Sequence, residues 1–399
     1  MNLLGLCKLI VTKTTIPILI PILDLLAISM PPFTNPFADT ARWIETDGGV
    51  TTLAWFVAVQ FAFAIGMTNL VMMVYLERKI AARIMDRRGP MLSFYALKEV
   101  FDDLGNGGAR NIIKNYSGIG FLQNVADGIK FFTKEAIFPE KSDKLLYSIA
   151  PIMFISSSVV LFGLVPLSER FAANAAPAGV LLVMAAFSVA PVSILAAGWA
   201  SNNKYTLIGG MRSAAQLMAY EIPLLLSMAG VFLVAGSFHP VDIVQQQQEA
   251  TWLLGLPMWN IVPQFIGFVV FMICILAEVE RTPFDLPEAE AELVEGWTTE
   301  YSGMRFGLFL MAEYIRGFAG AAVATILFLG GWTGPGLIPE FWFLLKVYSI
   351  FVFFVFLRWT VPRIRTDQIL ILGWKRLLPL SILNLVIVIL MTEFSSGVL

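Results

Sequence analysis

The residues best suited to chemistry are carboxylates gathered in one segment, residues 277–301. This segment interleaves acids with small and apolar residues, and it lies between two long apolar stretches. Carboxylates close to hydrocarbon are costly unless they are hydrated, paired or protonated. The pattern therefore predicts a functional site whose side chains take up and release protons.

A solvated loop carrying a short helix is the alternative interpretation of this segment. Pro287 suits a first helical position, and Asp285 followed by Glu288 resembles a helix cap. This explains only some of the acids, because Glu288, Glu292 and Glu295 would fall near one helical face and repel each other. Nearby cations or protonation must compensate the remaining charge.

The composition is that of an integral membrane protein built from helices. Hydrophobic residues make up 57% of the chain and charged residues only 14%, whereas about a quarter of residues are charged in soluble proteins. The mean hydropathy is +0.76. A net charge of -2 argues against a nucleic-acid partner, because the basic surface that such binding needs is missing.

The chain has few side chains that could hold a redox centre. Its two cysteines are Cys7 and Cys274, and its single histidine is His239. This set excludes a four-thiolate iron–sulfur site, bis-histidine haem ligation and an ordinary zinc site within this chain alone. Any metal or redox centre is therefore expected on a partner chain.

Eight apolar runs are long enough to cross a membrane, which takes about 20 residues each. They lie near residues 53–76, 145–167, 179–200, 217–236, 261–280, 306–330, 340–361 and 377–394. The predicted fold class is all-α, a polytopic membrane helix bundle with eight transmembrane helices. The N-terminal region is predicted to add either a ninth span or an interfacial helix.

Lysine and arginine set the predicted orientation and domain organisation. They concentrate in residues 77–144 and recur in 281–305, so both loops are predicted to be cytoplasmic. Residues 51–399 are predicted to form a single transmembrane domain. Residues 1–50 are predicted to form an N-terminal extension at the interface or as an extra span.

Two further polar sets could support chemistry. In the first, Gln123, Asp127, Lys130 and Lys134 share one helical face, which predicts an amphipathic helix in the membrane surface. Such a helix could frame a lateral opening for a lipid-like substrate, or it could be a surface helix with no opening. A cationic patch that includes Arg87 lies at the same predicted boundary.

The second set lies within the apolar runs. Glu221 and Glu313 are membrane-depth acids beside Tyr220 and Tyr314, with Gln216 close by. Acids at such positions often face a hydrated cavity and belong to proton relays. A structural hydrogen bond between helices is the alternative.

Four short motifs carry a resemblance to a known family. They are Glu280-Arg-Thr-Pro-Phe-Asp285, Glu290-Ala-Glu-Leu-Val294, Thr299-Glu-Tyr-Ser302 and Ala312-Glu-Tyr314. With these motifs the chain resembles the H-subunit family of bacterial NADH:quinone oxidoreductase, respiratory complex I, over roughly residues 53–395. The resemblance implies a multi-pass membrane component of the bacterial inner membrane that couples quinone reduction to proton translocation without independent activity.

The resemblance also implies partners and site residues. Two hydrophilic subunits would complete the quinone chamber, small membrane subunits and lipid would surround the bundle, and flavin and iron–sulfur clusters would lie on partners. Ubiquinone or menaquinone would be the substrate.

The coupling loop beside the chamber would comprise Glu278, Glu280, Arg281, Pro283, Phe284, Asp285, Glu288, Glu290, Glu292 and Glu300. The intramembrane proton path would comprise Glu221, Glu313, Gln216, Tyr220 and Tyr314. The chamber entrance would comprise Arg87, Gln123, Asp127, Lys130, Lys134 and Glu135.

The chain departs from the family pattern in two regions. Residues 91–119 intrude after the motif that ends at Pro90, and Met85 and Glu295 replace the residues usual in the family. Residues 1–50 have no clear family equivalent. Two rival functions stay open from the residues themselves: an ion or proton transporter working alone, and the related membrane anchor of an energy-converting hydrogenase or of another donor dehydrogenase.

Overall fold

The computed structural model describes residues 47–87, 89–90, 122–169, 178–249, 258–285, 294–336 and 338–396. These residues form helices and connecting turns, with no strand among them. The α-helices, in chain order, are α1 Asp47–Ile84, α2 Leu122–Thr133, α3 Lys144–Leu164, α4 Gly179–Phe187, α5 Val189–Ala200, α6 Lys204–Ala235, α7 Pro240–Glu249, α8 Phe265–Glu278, α9 Met304–Phe328, α10 Pro339–Thr360, α11 Thr366–Ile371 and α12 Leu378–Ser396. The all-α prediction is confirmed.

Six helical segments in the described part of the chain are long and apolar enough to cross a membrane. They are Lys144–Leu164, Gly179–Ala200, Lys204–Ala235, Met304–Phe328, Pro339–Thr360 and Thr366–Glu393. Helices α1 and α8 coincide with the other two predicted runs, but α8 has only 14 residues. The count of eight spans stays a prediction, as do the domain division and the placement of residues 1–46, which lie outside the described residues.

Helix boundaries differ from the apolar runs where polar residues extend or end a helix. Helix α6 begins at Lys204, well before the run near 217–236, because the Asn203 side chain accepts a hydrogen bond from the Tyr205 amide at 3.1 Å and caps the helix. The run near 261–280 ends early, since α8 stops at Glu278. Glu280 therefore lies beyond the end of α8.

Helix α9 is the centre of the bundle. It packs against α1, α3, α8 and α10. Of the residues in its most apolar stretch, 83% are buried. Small residues allow this approach, since a Cβ atom on Gly320 would lie 3.0 Å from the Ile275 side chain of α8. The central position of α9 places Glu313 and Arg316 inside the protein.

Candidate functional site

Arg281 is the centre of a buried charge cluster. It follows α8 and is 5% exposed. Its Nη1 atom donates to Glu77 Oε2 of α1 at 2.5 Å, and its Nε atom lies 2.9 Å from Glu313 Oε1 of α9. The guanidinium carbon lies 4.4 Å from the ring centroid of Tyr314. Arg281 therefore joins α1 and α9 through two carboxylates and an aromatic face.

The carboxylates beside Arg281 keep it charged despite its burial. Burial opposes the positive charge, but Glu77 and Glu313 outweigh it and raise the pKa of Arg281 above its usual range. Glu77 also has a second cation, because Arg358 Nη1 of α10 donates to its Oε1 atom at 2.5 Å. Each oxygen of Glu77 thus faces one guanidinium, and four side chains from three helices and a loop form one network.

A second buried ion pair lies one turn further along α9 from Glu313. Arg316 Nη2 donates to Glu278 Oε1, and both side chains are almost fully buried. Arg316 Nη1 also donates to the Phe187 carbonyl at 3.3 Å. The guanidinium lies 4.9 Å from the Phe187 ring centroid. The pair therefore ties α8, α9 and the end of α4 together at the level of the acids.

Glu280 is a half-buried acid with one unpaired oxygen. Its Oε1 atom has no hydrogen-bond partner among the described residues. Burial raises the pKa of Glu280 to about 8, and the nearby charges of Glu313 and Glu278 act in the same direction. Ser213 and Arg316 oppose this rise. Glu280 can therefore hold or release a proton near neutral pH.

One small cavity lies among the acids Glu278, Glu280 and Glu313, beside Arg316. Its volume is about 40 Å³. Its polar wall comprises Glu278, Glu280, Asp285, Glu295, Thr298, Glu313 and Arg316. Its apolar wall comprises Phe154, Ala190, Ile194, Val279, Trp297, Phe306, Phe309 and Leu310. The predicted loop acids Glu278, Glu280 and Asp285 are thus brought together with the intramembrane acid Glu313.

The connecting loop is held in place by side chains that do not all face the cavity. Asp285 accepts from Arg363 at 3.1 Å, and the Pro283 carbonyl accepts from the Ile364 amide at 3.1 Å. Phe284 is buried against Tyr220. Pro283 and Asp285 thus fix the loop to the segment after α10, and Phe284 fixes it to α6.

Glu300 lies at the far end of the same loop. Its carboxylate accepts a hydrogen bond from the Asn203 side chain at 2.7 Å, and its carbonyl accepts from the Tyr147 hydroxyl at 2.6 Å. Glu300 does not line the cavity of the other acids. Glu288, Glu290 and Glu292 lie outside the described residues.

The predicted intramembrane path is brought together only in part. Gln216 donates to the Ala277 carbonyl at 2.9 Å, and the Tyr220 hydroxyl donates to the Ile369 carbonyl at 3.0 Å. These contacts fit the structural alternative, since they join α6 to α8 and α11. Glu221 accepts from the Ser188 hydroxyl. Glu221 does not line the cavity of the other acids.

The predicted amphipathic helix is present as α2. Asp127 pairs with Arg78 of α1 and accepts from Gln123 at 3.2 Å. On the opposite side, Ile129 and Phe132 are 60% and 74% exposed. Arg87, Lys130, Lys134 and Glu135 are exposed. None of these four lines the acid cavity, so their role at a chamber entrance stays a prediction.

We expect Glu280→Gln to change how the stability of the assembled protein depends on pH. The native state holds a proton on Glu280 up to about pH 8, whereas the ordinary pKa is 4.5. Between these values the native state binds more protons than the unfolded state, so stability falls as pH rises. Glutamine is neutral throughout. The unfolding temperature of the variant relative to wild type should therefore rise from about pH 5 to about pH 8.

Thermal unfolding followed at several pH values measures this difference. Glu135→Gln is the matched control, because that carboxylate is exposed and outside the cavity. If the unfolding temperature of Glu280→Gln differed from that of wild type by the same amount at every pH, the assignment of Glu280 as a protonated acid would be contradicted.

The helices and the buried pairs define a polytopic membrane protein with an internal cluster of ion pairs. The family model described as NADH dehydrogenase matches residues 56–389. The chain is 38% identical over 356 residues to the H subunit of NADH-quinone oxidoreductase from Brevibacillus brevis, covering 87% of this chain and 96% of the relative. It is 40% identical over 333 residues to the protein of the same name from Dehalococcoides mccartyi, covering 83% of this chain and 84% of the relative.

The chain therefore belongs to the NADH dehydrogenase family, as a membrane subunit of respiratory complex I. The resemblance drawn from the motifs is confirmed. Across the described residues, no group of three or more histidine, cysteine or carboxylate side chains is arranged to hold a metal ion. The placement of flavin and iron–sulfur clusters on partner subunits stays a prediction.

Proposed function

We propose that this chain contributes to a quinone chamber and couples quinone reduction to proton translocation through its buried carboxylates. The observation that carries the proposal is the single cavity in which Glu278, Glu280 and Glu313 meet beside Arg316. The relatives are named as quinone oxidoreductases. The acids of this cavity lie where the predicted cytoplasmic loop meets the membrane helices.

The charge balance of the cluster allows proton exchange without redox chemistry in this chain. Four carboxyl groups, Glu77, Glu278, Glu280 and Glu313, face the three cations Arg281, Arg316 and Arg358. With one carboxyl protonated, the remaining charges balance. A proton that leaves one acid can therefore be replaced on another without creating an unpaired buried charge.

Reduction of a quinone adds two electrons and takes up two protons, so it changes the charge and proton demand at the chamber. The loop that carries Glu280 and Arg281 would respond first, because it connects the predicted chamber to the bundle. Arg281 contacts both Glu77 and Glu313. If Arg281 moved closer to one of these two carboxylates, it would move away from the other. The carboxylate that lost the contact would then be more readily protonated.

Partner subunits are part of the proposal. The loop is proposed to lie against two hydrophilic subunits that complete the chamber, and the bundle against small membrane subunits and lipid. The quinone is ubiquinone or menaquinone. The electron donor enters through partner subunits that hold flavin and iron–sulfur clusters, and the complex lies in the bacterial inner membrane.

We expect Glu221→Gln to lower both quinone reductase activity and proton pumping, by roughly two- to tenfold. The amide can still accept from Ser188, so packing is kept, but it cannot carry a proton. Membrane vesicles that contain the assembled complex allow NADH oxidation and pumping to be measured together.

The control for this test is Ser188→Ala, which removes the hydroxyl contact of Glu221 and keeps the acid. Activity and pumping should stay close to wild type there. Unchanged rates in Glu221→Gln would remove Glu221 from the relay. If Glu280→Gln lost pumping while Glu221→Gln pumped normally, the relay would be confined to the acids that line the cavity.

A further inference from the structure

A second cavity opens where the segment before α3 meets the turn between α5 and α6. Its volume is about 420 Å³. Its lining residues are Lys141, Asp143, Trp199, Ala200, Asn202, Asn203, Lys204 and Leu207. None of them lines the cavity of the buried acids. This lysine pocket therefore needs a separate explanation.

Backbone contacts hold the lysine pocket in a fixed shape. The Asp143 amide donates to the Ala200 carbonyl at 3.1 Å, and the Asn202 side chain donates to the Lys141 carbonyl at 3.0 Å. Asn202 has a φ of 49°, a left-handed conformation that turns the chain between α5 and α6. The two walls are thus joined before any ligand binds.

The charge of the lysine pocket is positive. The Asp143 carboxylate accepts from the amides of Leu145 and Leu146, so it is already used to cap α3. Lys141 and Lys204 are exposed, and neither forms an ion pair with a described residue. The pocket therefore offers two ammonium groups beside one carboxylate, so its lining carries a net positive charge.

An apolar surface continues from the lysine pocket along the bundle. Trp199 is 64% exposed. Val192 lies two turns away on the same face of α5 and is 58% exposed. On the neighbouring helices Leu145 of α3 is 69% exposed and Met211 of α6 is 53% exposed. These helices are among those apolar enough to span a membrane. This surface is suited to acyl chains, with Trp199 at the level of the headgroups.

We propose that the lysine pocket binds the headgroup of an anionic phospholipid. The phosphate lies between the ammonium groups of Lys141 and Lys204, and the acyl chains follow the apolar surface of α3, α5 and α6. An acidic protein segment would also suit the two lysines. The lipid fits better, because the cations and the apolar surface are continuous and lie at the predicted cytoplasmic boundary.

The test uses the purified complex with the paired change Lys141→Gln and Lys204→Gln. After detergent washing, the complex is titrated with phosphatidylglycerol or phosphatidylcholine, and bound lipid is counted by native mass spectrometry. We expect roughly tenfold weaker retention of phosphatidylglycerol in the variant, since each lysine contributes to attraction of an anionic headgroup. Phosphatidylcholine retention should not change.

The control pair is Lys375→Gln with Arg376→Gln, because these exposed cations are adjacent on one helix beside the exposed Trp374 rather than on two walls of a cavity. Equal phosphatidylglycerol retention in wild type and the lysine-pocket variant would overturn the proposal. Loss of a hydrophilic subunit with lipid retention unchanged would also overturn it and indicate a protein partner.

If the double variant does not assemble, the proposal is tested instead with the two single variants and with the salt dependence of phosphatidylglycerol binding to the wild-type complex. Phosphatidylglycerol retention that does not weaken as salt rises would contradict a headgroup held by two ammonium groups. This site does not depend on the proposed quinone chemistry, so the two proposals can fail separately.

Discussion

Arg281→Met is expected to reduce quinone reductase activity to less than about a tenth of wild type. The change removes a cation that contacts both Glu77 and Glu313. Loss of one partner from a buried ion pair costs about 3–5 kcal/mol, because it leaves an uncompensated charge. Activity in membrane vesicles, divided by the amount of assembled complex on native gels, measures the effect.

Arg281→Lys separates charge from geometry. Lysine keeps the positive charge but cannot present two separate nitrogens to two carboxylates in the fixed geometry of a guanidinium. We expect activity between those of wild type and Arg281→Met. Arg365→Met is the matched control, since its side chain is 81% exposed. Near-normal activity in an assembled Arg281→Met variant would rule out a central role for this arginine.

The helices could be predicted from the sequence because membrane spans carry a simple signal. The apolar runs near 145–167 and 340–361 are helices with closely similar bounds, and the run near 179–200 corresponds to α4 and α5 together. The signal weakens where a helix is short, as in α8, or where polar residues extend it, as at the start of α6. Such boundaries depend on caps and packing, which hydrophobicity does not encode.

The acids of the site could be predicted, but most of their partners could not. Glu278, Glu280 and Glu313 stand out because carboxylates are rare beside apolar runs. Glu77 is marked in the sequence only as the start of a cationic patch, whereas in the structure it pairs with arginines from distant parts of the chain. A single sequence contains no signal for such long-range pairs.

The contacts of Gln216 and Tyr220 show the same limit for polar residues in spans. The sequence places both residues beside Glu221 on α6, but their side chains donate to carbonyls on other helices. Adjacency along a helix does not determine direction, because neighbouring positions point to different sides. Helix packing therefore decides which polar residues share the cavity.

Arg316→Leu is the second change for which we expect a large effect. Arg316 is 1% exposed and its partner Glu278 is 4% exposed. Removing the arginine alone leaves a buried carboxylate, which should lower the free energy of unfolding by about 3–5 kcal/mol. Thermal unfolding of the assembled complex measures the loss of stability, and vesicle assays measure the accompanying loss of pumping.

The double variant Arg316→Leu with Glu278→Leu distinguishes stability from function. Replacing both partners of a buried pair by apolar residues is often neutral or stabilising, so most of the lost stability should return. Pumping should not return, because the cavity then lacks one of its acids and the cation beside it. Recovery of both stability and pumping would show that the pair only holds α8 to α9. Recovery of stability alone would assign the pair to the proton path, since the packing would be intact while the exchangeable charges were gone.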